Sequence, residues 1–110
     1  MRVTRKRFKD ASEPDSKGRY EYCYTGVIYL FVFPGCALVA RRYDDTAEEA
    51  SFLRIEQLPK RTPMLFTKIP YREAPFRKAV EYLRSIKGIE SISVLLPRGY
   101  VEIDFKKIAA

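Results

Sequence analysis

Tyr20, Tyr22 and Tyr24 are spaced two apart and follow Lys17 and Arg19. On an extended strand this spacing turns three phenolic rings to one face. Aromatic faces beside cations are the elements of a stacking platform for single-stranded nucleic acid. The competing use of the same rings is burial in a sheet, with the hydroxyls left at the rim. More cations lie at Arg5, Lys6 and Arg7 near the start of the chain, and at Arg41 and Arg42 before Tyr43. Gathered on one side, they would make a stripe suited to phosphates or to an acidic protein surface. Arg5, Lys6, Arg7, Lys17, Arg19, Tyr20, Tyr22, Tyr24, Arg41 and Arg42 therefore form the candidate binding surface.

Reactive chemistry is thinner. Asp44, Asp45, Glu48 and Glu49 form an acidic cluster with the oxygen ligands Mg²⁺ or Ca²⁺ would take. The longer alternating spacing and central glycine of an EF-hand loop are missing, however. Thr46 and Glu49 fit a capping box, so the expected structure there is a solvated turn with one helical turn. Glu102 and Asp104 share a face of the last expected strand, one that points to solvent or to a partner rather than into a cleft. There is no histidine to activate Cys23 or Cys36, and both lie in apolar strands where thiols are inert. The five glycines are isolated, which leaves no phosphate-binding loop. The expectation is a protein without catalytic residues, metal or cofactor.

Lys17-Gly18 ahead of an aromatic run matches the start of the RRM signature, but Arg19 and Glu21 stand at its inner aromatic positions. The RRM strand order also fails, because no helix follows the first strand. A helix before the last two strands is compatible with an OB-like barrel. The charge balance points elsewhere. The chain carries 21 basic and 14 acidic residues, a net of +7, and residues 1–19 hold seven of the bases against three of the acids. A dedicated nucleic-acid domain carries its basic excess on the fold itself. The leading expectation is therefore a non-catalytic module that binds another protein, of the inhibitor, immunity or adaptor kind. A nucleic-acid binder is the alternative, and an enzyme or metal binder using residues 44–49 comes third.

These residues need elements to position them. The 110 residues, 46% hydrophobic and 14% aromatic, suit one domain with its own core. Residues 1–18 read as a flexible basic arm, with any order centred on Phe8, and 19–110 as a single α+β domain. Strand alternation begins at residue 20, and Gly26 suggests a bulge or bend. Residues 27–33 are apolar on both faces and belong centrally in a sheet. Pro34-Gly35 turns the chain into a return strand over 36–43. A third strand covers 52–58. A short fourth, 64–69, is bounded by prolines and belongs at an edge, where a homodimer contact is conceivable.

Phe76, Ala79, Val80, Leu83 and Ile86 give one apolar stripe to a long amphipathic helix over about 73–87. Pro75 suits its first turn and Gly88 its end. A closing hairpin with its turn at Arg98-Gly99 pairs Leu96 with Val101, Val94 with Ile103 and Ile92 with Phe105, and residues 108–110 fray. The expected order is ββββαββ on antiparallel sheet, with the helix packed across it.

In this register Cys36 faces Phe33 rather than Cys23. No disulfide is expected, and both thiols read as small buried or half-buried groups in a reducing, cytoplasmic setting. The longest apolar run, 27–33, is far short of the roughly 20 residues of a membrane-spanning helix. The charged first residues lack the pattern of a secretory signal.

Overall fold

The computed structural model describes residues 1–108, so the fraying expected at Ala109 and Ala110 lies outside the described residues, while Ile108, expected to fray with them, instead ends a short helix and packs against the core. The strands are β1 (Arg2–Ala11), β2 (Cys23–Phe33), β3 (Cys36–Tyr43), β4 (Glu49–Gln57), β5 (Thr62–Met64), β6 (Ser91–Leu96) and β7 (Gly99–Glu102). Helix α1 (Ala74–Arg84) lies between β5 and β6, and the short α2 (Phe105–Ile108) follows β7. The strands form one sheet in the order β1-β2-β3-β4-β6-β7, with β5 paired to β4 beside this path.

The fold is mixed α+β, as the periodicities indicate, but the helix is not long. It has 11 residues and stops at Ser85 instead of reaching residue 87. The Ser85 hydroxyl donates to the carbonyl of Tyr82, and the chain then turns through Gly88 at φ +99°. The stripe behaves as its spacing demands, with Phe76, Ala79, Val80 and Leu83 all buried. Nor is the sheet antiparallel throughout. β4 and β6 run parallel, with Glu49 opposite Ser91 and Phe52 opposite Val94. Parallel neighbours need a crossover, and residues 58–90, carrying α1, supply it.

The N-terminal segment departs furthest from expectation. Residues 2–11 are not a flexible arm but a ten-residue edge strand, paired with β2 from Arg2 opposite Val32 to Ala11 opposite Cys23. Side-chain contacts help to hold it. Val3 packs against the core, the Arg7 guanidinium pairs with Asp44, and Phe8 lies over Gly26. Gly26 is no bulge, because its register is continuous. A Cβ there would come within 2.7 Å of the Phe8 ring and 2.2 Å of the Arg42 carbonyl, so glycine is needed for close approach. The irregularity falls instead between Val39 and Ala40, where β4 carries the extra residue Leu53. This bulge lets both Phe52 and Ile55 pack toward the core although they are three residues apart.

Other expectations shift in detail. The fourth strand covers Thr62–Met64 only, so the edge at 64–69 on which a homodimer contact would rest is largely absent, and Phe66 is buried. In the closing hairpin Leu96 pairs with Gly99 and Val94 with Val101, placing the loop at Pro97-Arg98. This two-residue slip keeps Leu96, Val94 and Val101 on their expected face, but Phe105 begins α2, so its expected pairing with Ile92 does not form. β7 ends at Glu102, so Asp104 does not share a strand face with it. Asp104 instead accepts a bond from the Lys106 amide at the start of α2. Asp44–Thr46 forms a 3₁₀ turn with no side-chain cap, in place of the capping box at Thr46 and Glu49. Cys36 pairs with Phe33 as expected, whereas Cys23 is exposed; both are free thiols.

The core lies between α1 and one face of the sheet. Phe31 and Phe52 sit in β2 and β4, Phe76 comes from the helix, and Phe66 comes from the connection before it. The Phe52 and Phe76 rings are 5.0 Å apart, and Phe66 meets both edge-on. Tyr82 of α1 likewise sets its ring against Tyr29 and Phe31.

Candidate functional site

Side chains alternate along a strand, and cross-strand partners point to the same side. Register alone therefore sorts the candidate residues. Tyr29 and Phe31 face the helix, so their β1 partners Arg5 and Val3 do too, as does Arg7 opposite Val27. Arg42, also opposite Val27, joins them. Lys6 opposite Ile28, and Arg41 opposite the same residue, point to the other side. The expected single basic stripe is thus divided between the two faces. Lys17 and Arg19 belong to neither face. They sit in the β1–β2 connection, where the Asp15 carboxylate accepts from both of their amides and pairs with the Arg19 guanidinium. Those two backbone hydrogen bonds hold the Asp15 carboxyl below its ordinary value.

The tyrosines are divided as well. Tyr22 and Tyr24 stack with centroids 6.0 Å apart, while Tyr20 stands against Lys9, whose ammonium lies 4.7 Å from the ring centre. Tyr24 continues into a larger aromatic cluster on the face away from the helix. Its ring is 5.6 Å from that of Tyr43, and Tyr43 meets Phe8 edge-on at 5.7 Å. The Arg41 guanidinium lies 4.5 Å from the Tyr43 ring centre, a cation–π contact. Arg41 also donates to the Tyr100 hydroxyl at 2.8 Å, reaching from β3 across to β7.

Beneath this span runs a polar row built by register. Arg41 is opposite Ser51, Ser51 opposite Ser93, and Ser93 opposite Glu102. The two serine hydroxyls are bonded to each other at 2.8 Å. With Tyr43, Glu49 and Tyr100 at its sides, the row floors a groove of about 400 Å³. Tyr22, Tyr24 and Tyr100 are 45%, 44% and 52% exposed, so this face presents its tyrosines outward. No helix among the described residues covers it.

Sequence reasoning included Tyr22, Tyr24 and Arg41 but left out Phe8, Tyr43, Tyr100 and the serine row. Alternation alone marks Tyr100 and Glu102 as facing away from the core. Their meeting with Arg41 depends on the parallel β4–β6 pairing, which no local pattern announces. The acidic cluster is partly committed elsewhere. Asp44 accepts from Arg7 and from the Thr25 hydroxyl, and these hydrogen bonds lower its pKa to about 2. Among the described residues no three Asp, Glu or Cys side chains are grouped to hold a metal ion, and no helix is long and apolar enough to cross a membrane.

At the far end of the same face Glu56 is buried between Arg54 and Arg61. Burial pushes its pKa up, but the hydrogen bonds from Arg61 and Arg54 outweigh it and hold the carboxyl below its usual value. Comparison with protein-family models, curated proteins and solved structures finds no match.

Proposed function

We propose that the protein is a non-catalytic binding module that docks an acidic surface of a partner protein on the sheet face opposite α1. The observation carrying this reading is the contiguous set of Tyr22, Tyr24, Tyr43, Arg41 and Tyr100, with Phe8 at its edge. Tyrosine and arginine dominate the energetic centres of protein interfaces, because each combines a large contact area with hydrogen-bonding capacity. Here they are also held in place by one another, which lowers the ordering cost of binding. The net charge of +7 favours a partner with exposed carboxylates.

A nucleic-acid platform is supported less well. Its rings need free faces, yet Tyr43 is flanked by Arg41, Phe8 and Tyr24, and Tyr22 is stacked on Tyr24.

The test is affinity capture from lysate of the source cells, with and without nuclease treatment. It compares the wild type with Tyr24→Ala/Arg41→Glu on the docking face and with Lys78→Glu on α1. A protein held by the wild type and by Lys78→Glu, but lost with the double variant, is the expected result. Capture that ends on nuclease treatment would overturn the reading in favour of nucleic acid. Capture indifferent to the double variant would place the interface elsewhere.

A further inference from the structure

The main path of the sheet ends in two unlike strands, β5 lying off it beside β4. β7 is four residues long and runs at once into α2. β1 is ten residues long, pairs with β2 in unbroken register, and has no strand on its outer side among the described residues. Alternate amides and carbonyls of such a strand point away from the sheet and are available to another strand.

Its side chains select the occupant. Five of the ten residues are basic, on both faces: Arg2 and Lys6 on one, Arg5, Arg7 and Lys9 on the other. Arg7 is engaged by Asp44, while Arg2, Arg5 and Lys6 have no carboxylate within ion-pair distance among the described residues. A second copy of this edge, paired antiparallel about its centre, would set Arg5, Lys6 and Arg7 against their own kind, and directly opposed like charges destabilise a strand pair. A strand rich in glutamate or aspartate meets the opposite condition at each of these positions.

We infer that the outer edge of β1 takes an extended acidic segment of a partner protein as an added strand. Backbone hydrogen bonds supply the pairing, and Arg2, Arg5 and Lys6 select for carboxylates. The inference rests on the reading that the partner is a protein, but it uses a different surface from the tyrosine-bearing face. A partner able to engage both would gain through effective concentration.

The probe is a synthetic eight-residue peptide of the repeat Glu-Glu-Thr-Thr, which presents carboxylates on both strand faces, titrated by fluorescence anisotropy into the full chain. A second peptide of the same sequence is N-methylated at alternate amides. Binding of the first, weakened at least tenfold by N-methylation and at least tenfold by Arg5→Glu/Lys6→Glu, is expected. Slowed amide exchange over residues 2–9 should accompany it. Thermal melting checks that the charge-reversed variant is folded, and Arg2→Gln/Arg5→Gln/Lys6→Gln serves in its place if it is not.

Equal binding of the N-methylated peptide would show attraction by charge without strand pairing and overturn the inference. So would absence of binding at low salt, or protection that maps to β7. Tyr24→Ala/Arg41→Glu should leave peptide binding unchanged. Loss of peptide binding with that variant would assign the peptide to the sheet face and refute the edge. Failure of the edge proposal thus stays distinct from failure of the proposed function, which is read by capture of the partner.

Discussion

The two faces of the sheet each carry an aromatic cluster, and the clusters differ in kind. On the helix side Phe31, Phe52, Phe66 and Phe76 are buried against one another, with Tyr29 and Tyr82 beside them. On the opposite side Tyr22, Tyr24, Tyr43 and Tyr100 gather around Arg41, with Phe8 resting over a glycine. Phenylalanine suits the first setting because it brings no polar atom needing a partner. Tyrosine suits the second, where the ring lies on the sheet and the hydroxyl meets water or a bound surface. The same alternation that builds the core therefore builds a face with a different use.

This contrast makes Phe52→Ala the most damaging change expected. It empties a site between two other rings and should cost about 3–5 kcal/mol in urea unfolding. Tyr24→Ala should stay within about 1 kcal/mol in the same assay. If the two lose equal stability, the outer cluster is a second core rather than a docking face.

Gly26→Ala comes next. The added methyl meets the Arg42 carbonyl and the Phe8 ring, so about 1–3 kcal/mol should be lost, with amide exchange over residues 6–9 increasing first. An unchanged melting temperature would mean that β1 is not seated through this contact.

The smallest expected effect is the pH dependence conferred by Asp44. Its folded pKa, about 2, lies below its ordinary value of 3.8. The stability it contributes is thus fully present above about pH 4 and is lost as pH falls through about 2. The melting-temperature advantage of wild type over Asp44→Asn should shrink across that window. Curves that run parallel from pH 5 to pH 2 would show that the Arg7–Asp44 pair adds nothing to the seating of β1.

Much of the helix side was legible beforehand, because burial imposes a period on the residues that face it. The stripe from Phe76 to Leu83 and the strands at 27–33 and 36–43 follow from that rule. β1 was not legible for a related reason. Arginine and lysine can occupy an edge strand with their heads in water, so Arg2 to Lys9 shows charge where an interior strand would show apolar alternation. The candidate surface was half legible. Tyr22, Tyr24 and Arg41 share a face, while Arg5, Arg7 and Arg42 turn to the other because neighbouring residues on a strand always do. The β4–β6 pairing that brings Ser93 and, through β7, Glu102 and Tyr100 alongside Arg41 had no local signal at all.

The amino-acid sequence alone determined the turn at Pro34-Gly35, the apolar stripe of α1, the strands that alternate around a core, and the lack of an imidazole. These are short-range matters of backbone preference, side-chain period and residue type. Tertiary structure decided which strands became neighbours, that a charged segment became an edge, and which rings and cations share the open face. Those outcomes depend on contacts between residues far apart in the chain, where the gain from burial and pairing outweighs local preference.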